Sequence, residues 1–154
     1  MRIEVRPASF TDVDPIASRM READRREVWA VGLLTPERAL AESLCLSNRA
    51  WTLLIEDRPT AMWGCSAQSA LTRTGSVWML ATDDLAIIPI RAALQSRRSL
   101  KTMLQLFDVL VNWVDARNEL SIRWLRWLGA EFDAPRPFGA LGLPFMRFEV
   151  RDVR

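Results

Sequence analysis

Apolar and charged residues alternate from Arg2 to Pro7, the pattern of a half-buried strand. From Thr11 the period changes. Val13, Ile16, Ala17, Met20 and Ala23 recur at helical spacing, with Arg19, Arg21, Glu22, Arg25 and Arg26 on the opposite face. Thr11 and Asp12 offer capping side chains, and Pro15 falls in the first turn, where its missing N–H costs nothing. The spacing predicts one amphipathic helix running to about Val31 and ending near Gly32. Thr35-Pro36-Glu37 is a second helix start, with a cap, a proline and then an acid at the positive end of the dipole. That helix is short, to about Ser47, with Asn48 as its left-handed stop.

A β region follows. Trp51 to Glu56 reads as a strand, Asp57-Arg58-Pro59 as a turn, and Thr60 to Ala67 as the return strand, where Gly64 marks a bulge or a close approach. A polar link, 68–75, leads to a third strand, Val77 to Thr82, which Asp83 and Asp84 stop. Pro89 opens a helix with Ile90, Leu94, Leu100, Met103, Leu104 and Phe107 on its apolar side. Arg91, Gln95, Arg98, Thr102 and Gln105 fall mostly on the other. Val109 to Val114 is a strand, and Glu119 to Leu128 is a helix capped by Asn118 and closed by Gly129. Ala130 to Asp133 is short and extended, Pro135 to Pro144 a proline- and glycine-rich loop, and Phe145 to Val150 a closing strand. The order β-α-α-β-β-β-α-β-α-β-β predicts a mixed α/β fold, one domain over residues 1–154, with a largely antiparallel central sheet flanked by about four helices.

Composition narrows the chemistry. The chain has 154 residues, enough for a real core, but no His and no Tyr. Without His, and with Cys45 and Cys65 not at ligand spacing, no metal site is expected. Each cysteine reads as a small buried apolar residue, and no His is present to activate Cys65 as a nucleophile. No stretch approaches the roughly 20 apolar residues of a membrane span, and the N-terminus is a strand rather than a leader, so the cytoplasm is the expected compartment. Net charge is +2, and Lys101 is the single lysine. No basic stripe interleaved with aromatics suggests nucleic acid as a partner.

The element order, together with Val5-Arg6-Pro7-Ala8, Asp12 and Ile16-Ala17 at the start, resembles the GNAT superfamily of acyl-CoA N-acyltransferases over nearly the whole chain. The late helix carries the match in most detail. Asn118, Ser121, Ile122 and Gly129 fit slots that the superfamily often fills with Asn, a small residue, an aliphatic and Gly. Leu125 stands where Tyr is usual, and Ala130 where Phe is. Trp63-Gly64, Val77 to Asp84, Asn112-x-Val114-Asp-Ala-Arg-Asn118 and Ile122 to Gly129 also resemble small GNAT-like proteins encoded by tailed bacteriophages. Some of those are counted as internal virion or assembly proteins, and others as acyltransferases on fold alone.

The resemblance implies acetyl-CoA as cofactor and an amine, on a small molecule or a protein, as acceptor. Such a reaction needs a cradle for the coenzyme diphosphate, donors near the thioester oxygen and a route for protons. The usual cradle is glycine-rich, yet Asp83 to Arg91 contains no Gly, holds two carboxylates and has Pro89 in place of a donor. Arg91, Arg97, Arg98 and Lys101 are then the candidate phosphate ligands, or simply a solvated helix face. Leu125 has no proton to give. Glu27, Asp83 and Asp84 are the candidate bases, and Asp24 with Glu27 a candidate grip on a cationic acceptor. The resemblance assigns coenzyme contact to the backbone of Leu80, Ala81 and Thr82. Asn118 is either a coenzyme neighbour or a plain cap. Two further roles stay open beside the enzyme. One is a catalytically silent GNAT-fold protein that binds a host protein during infection. The other is a minor virion component. Oligomeric state is left open.

Overall fold

The computed structural model describes residues 1–153. One continuous sheet organises them, in the order β1-β2-β3-β4-β5-β8-β6, with β7 pairing β8. Its strands are β1 (Ile3–Pro7), β2 (Arg49–Ile55), β3 (Arg58–Ser69), β4 (Thr74–Ala81), β5 (Val109–Asp115), β6 (Glu131–Phe132), β7 (Arg136–Phe138) and β8 (Leu143–Val150). Only β4 and β5 run parallel, and they pair solely from Thr74 to Ser76 against Val109 to Val111. Beyond that vertex the two strands diverge.

The helices are α1 (Val13–Ala17), α2 (Glu22–Gly32), α3 (Pro36–Leu46), α4 (Pro89–Met103) and α5 (Glu119–Leu128). On one sheet face Met62 and Leu80 pack with Ile16, Ala17 and Leu40 of α1 and α3. On the other, Ala61, Trp63 and Cys65 pack with Leu100 and Met103 of α4 and Ile122 and Leu128 of α5. The period-2 alternation of β3 assigns its neighbours to these two layers.

Several local expectations are realised. Thr35 caps α3 by accepting from Arg38 N–H at 3.3 Å, and α5 spans the expected residues with Gly129 left-handed at φ 107°. Gly64 is a close approach, not a bulge: a Cβ there would stand 2.6 Å from the Arg49 carbonyl oxygen. The β2–β3 turn is Glu56-Asp57, both at positive φ as a two-residue hairpin requires, and not the expected Asp57-Arg58-Pro59: Arg58 and Pro59 already belong to β3.

Others are corrected. The single helix expected from Thr11 to Val31 is two, because Arg21 is extended (φ −55°, ψ 143°) and Met20 bridges Thr82 at the edge of β4. The Arg25 guanidinium satisfies the freed carbonyls of Ala17, Ser18 and Met20. Leu33, not Gly32, takes the left-handed position after α2. Asn48 is no helix stop; its Oδ1 accepts from Ala67 N–H. Of the expected apolar side of α4, Ile90 and Leu94 are exposed while Leu100 and Met103 are buried, with Ser99 beside them. Cys65 is buried but Cys45 is exposed. The loop 135–144 contains β7, and its turn is pinned to α2 by Ala140 and Leu141 N–H groups donating to the Val31 and Ala30 carbonyls. No helix among the described residues is long and apolar enough to cross a membrane.

Candidate active site

The diverging strands leave their edge groups to be satisfied by something else. Thr82 N–H donates to the Thr60 carbonyl at 2.8 Å, so by the alternation of an antiparallel ladder the peptide groups of Leu80 and Trp78 also face β3. Those of Ala81, Met79 and Val77 point into the gap. Near the vertex Asn112 bridges the strands: its Nδ2 donates to the Val77 carbonyl and its Oδ1 accepts from Trp113 N–H. At the mouth, Ala81 N–H donates to Asp24 Oδ2 at 2.9 Å, and the Ala81 carbonyl accepts from Arg21 N–H at 2.9 Å. Opposite, Asp115 N–H donates to Glu27 Oε1 at 3.2 Å. Helix α2 therefore spans the open end, one carboxylate on each strand. Between these closures the Met79 peptide group faces the gap with no side-chain or loop partner among the described residues, and the Trp113 carbonyl faces it from β5.

The break at Arg21 is what turns α2 this way. Continuing the helix would have laid Ala23 inward; after the break Asp24 and Glu27 face the sheet and Ala23 faces solvent. Asp24 is ion-paired to Arg21 at 2.9 Å. Burial pushes its carboxyl up, and the Arg21 charge and the Ala81 N–H only partly oppose this. Among the described residues no cation pairs with Glu27. Burial likewise raises its pKa above the ordinary carboxylate value, opposed in part by hydrogen bonds from Asn118 Nδ2 (3.1 Å) and Asp115 N–H, and reinforced by the Asp24 charge. Its second oxygen has no hydrogen bond among the described residues.

A cavity of about 160 Å³ connects these groups. It starts at Arg21, Asp24 and Glu27, passes between β4 and β5 beside Met79, Asn112 and Trp113, and continues under α4 and α5. Its walls there are mostly apolar, including Trp63, Leu100, Trp124, Leu125 and Leu128, with Gln95, Ser96 and Ser121 as polar interruptions. The Phe138 ring of β7 stacks on Trp113 (centroids 4.0 Å, interplanar 5°), with Arg136 over the Trp113 ring, so the β7–β8 hairpin braces that wall.

The structure separates the sequence candidates. Glu27 lies at the polar end of the cavity. Asn118 does both jobs considered for it, capping α5 by accepting from Ser121 N–H at 3.2 Å and donating to Glu27. Leu125 reaches the cavity wall, where it contributes only hydrocarbon. Asp83 and Asp84 do not line the cavity: Asp83 is exposed and Asp84 pairs with Arg19. The expectation of free peptide groups at Leu80, Ala81 and Thr82 is not met, because Leu80 and Thr82 face β3 and both groups of Ala81 are used by α2. Arg91 and Arg98 turn toward β1, lining a depression with Ile3 and Val5. Arg97 turns toward α5, its guanidinium 4.2 Å from the Trp127 ring centroid and its buried Nε without a partner. The Asp83–Ile87 stretch is a 3-10 turn, and α4 has no side-chain cap. Cys65 is held as an inert thiol by burial, which raises its pKa. Asn112 and Met79 were missed. The signal for Asn112 was its position as the lone polar residue in the run 109–114, while Met79 depends on strand divergence that no local pattern encodes.

No family model matches the sequence, and no curated protein matches it. Solved structures do. An N-acetyltransferase from Staphylococcus aureus Mu50 superposes with TM-score 0.74 at 14% identity, covering 98% of this chain and 99% of that one. A GNAT-family acetyltransferase from Bacillus anthracis gives 0.70 at 10%, covering 98% and 95%. The ribosomal-protein-S18-alanine N-acetyltransferase from Escherichia coli gives 0.72 at 12%, covering 99% and 96%. At these identities the likeness establishes architecture, and over nearly its whole length this chain has the fold of the GNAT acetyltransferases.

Proposed function

We propose that this protein is an acyl-CoA-dependent N-acyltransferase with a reduced coenzyme cradle, acting on an amine of a small molecule or protein. The observation that supports it is Glu27, a half-buried carboxylate with no cation beside it among the described residues, at the polar end of a cavity threaded between two diverging strands. A carboxylate raised toward neutrality is a suitable base for an acceptor ammonium, and Asp24 beside it adds negative charge to hold that ammonium.

The residues fit the thioester end of the cofactor and not its diphosphate. The gap offers the Met79 N–H and carbonyl, and the cavity offers an apolar bed. The 3-10 turn before α4 offers two carboxylates and no glycine, so phosphate binding falls to side chains, with Arg97 the basic residue of α4 that packs against α5. Acetyl-CoA or a related acyl-CoA would supply an acyl group activated as a thioester. In the chain itself, Glu27 takes the amine proton, Asn118 and the Asp115 N–H hold Glu27 in place, and the Met79 N–H is the donor left free for an oxyanion. Leu125 cannot protonate the leaving thiolate, which leaves that proton to solvent.

Calorimetric titration with acyl-CoA tests the reading. Binding together with amine-dependent release of free thiol, lost in Glu27→Gln, is the expected result. No binding of any acyl-CoA at millimolar concentration would sink it.

The closure of Ala81 by the chain's own Arg21 and Asp24 favours a second reading: a catalytically silent GNAT-fold scaffold, encoded by a bacteriophage, that engages a host protein or is packaged in the virion. It predicts indifference to acyl-CoA, with either a discrete host partner in pull-downs or the protein inside purified particles.

A further inference from the structure

The cavity is larger than an acetyl group requires. Beyond the strand gap it extends over the sheet beneath α4 and α5, with Ala61 on its floor, Ala92 on its roof, and Leu85, Met103 and Phe148 around it. The whole space, polar end and strand gap included, is about 160 Å³, on the order of the ~150 Å³ cavity that admits benzene, and its part under α4 and α5 is mostly hydrocarbon-lined. Protein interiors close-pack, and hydrocarbon walls facing a void lose dispersion contacts. A cleft of this size running from the polar mouth into the core asks for an occupant along its apolar walls.

A second observation points the same way. Trp63, only 6% exposed, lines this cavity, and its indole N–H has no hydrogen-bond partner among the described residues. An indole donor is normally partnered when buried. An acyl thioester brings a carbonyl oxygen, the kind of acceptor that this N–H lacks.

We propose that the cavity is an acyl pocket, and that the preferred donor carries an apolar acyl group of about six carbons, such as hexanoyl, in place of acetyl. The proposal rests on the acyl-CoA reading above and adds the class of acyl group. Small residues at Ala61 and Ala92 set the depth of the pocket, and the aromatic and aliphatic walls select hydrocarbon over polar chains.

The test is calorimetric titration of the full chain with coenzyme A, acetyl-CoA and hexanoyl-CoA. Four additional methylenes, if fully buried, predict a preference for hexanoyl-CoA over acetyl-CoA of up to about two hundredfold. Ala92→Leu is expected to weaken hexanoyl-CoA by about tenfold while leaving acetyl-CoA within about twofold, because it fills space that only the longer chain uses. Ala61→Leu gives the same contrast from the opposite wall, and circular dichroism of both variants checks folding. Equal affinity for coenzyme A, acetyl-CoA and hexanoyl-CoA would overturn the acyl pocket yet leave the acyl-CoA reading standing. Absence of binding by every thioester would remove both.

Discussion

Asp12 at a helix start is buried and Glu27 on a helix face is half-buried, and they are treated in opposite ways. Asp12 is 2% exposed and fully engaged: both oxygens accept from the Arg6 guanidinium at 2.8 and 2.9 Å, and Ser9 N–H and the Thr52 hydroxyl donate as well. Burial alone would raise its pKa, but these donors outweigh burial and hold it below the ordinary aspartate value. Glu27 receives two neutral donors and, among the described residues, no cation, and burial wins. A carboxylate given a cation and every donor it needs acts as a clamp, tying β1, the turn before α1 and β2 together. A carboxylate left short of partners beside a cavity retains the capacity to take a proton.

The largest expected effect comes from removing the base. Glu27→Gln keeps an oxygen for Asp115 N–H and Asn118, so folding should be unchanged or improved by up to about 1 kcal/mol, while acyl transfer falls by about 10²–10⁴-fold. Rate assays and urea denaturation of one variant read both numbers. At the other site the signs reverse. Asp12→Ala leaves Arg6, Thr52 and the Ser9 N–H short of an acceptor and should cost about 3 kcal/mol in urea denaturation, with little direct effect on transfer chemistry.

Acid titration sharpens the contrast further. Asp12 has a folded pKa below its unfolded value near 3.8, so its stabilisation is present above that value and is lost as pH falls through the folded pKa. Glu27 has a folded pKa above its unfolded value near 4.5, so the native state binds its proton more tightly and stability declines as pH rises from there through the folded pKa. Melting temperature against pH should lose part of its acid limb in Asp12→Asn and part of its opposing slope in Glu27→Gln. Activity should rise with pH through the same raised Glu27 value.

Smaller effects separate neighbours. Arg97→Glu should weaken acyl-CoA binding by about tenfold, the loss of one charged contact, whereas Arg98→Glu, facing β1, should not. Asn118→Ala should cost about 1 kcal/mol through the lost cap of α5. It should also move the activity profile to higher pH, because the Asn118 hydrogen bond opposes the rise in the Glu27 pKa.

How much of this was legible depends on range. Helix α5 was readable to the residue because Asn118 and Gly129 are local signals with local causes. The strands of the meander were readable because alternation is local too, although the first turn lies at Glu56-Asp57 and β4 starts at Thr74, both earlier than the residue types suggest. The break at Arg21 was not, since Val13 to Ala23 keeps helical spacing and nothing in Met20-Arg21 forbids a helix. Pairing with Ala81 and Thr82, some 60 residues away in the chain, selects the extended state. That same break turns Asp24 and Glu27 inward, so a misread helix hid the geometry of the site while the residue type of Glu27 had already nominated it. Asp83, Asp84, Arg91 and Arg98 were nominated by position between strand and helix, but side-chain direction on α4 and the pairing of Asp84 with Arg19 place them elsewhere.

The central claim is that Glu27, unlike Asp12, is a carboxylate poised for proton transfer in a ligand cavity. Carbon-13 NMR titration of the side-chain carboxyls, with and without hexanoyl-CoA, measures it directly. The expected result is a Glu27 midpoint above 4.5 that shifts when the thioester binds, and an Asp12 midpoint below 3.8 that does not. A Glu27 midpoint at or below 4.5, unmoved by the thioester, would contradict it.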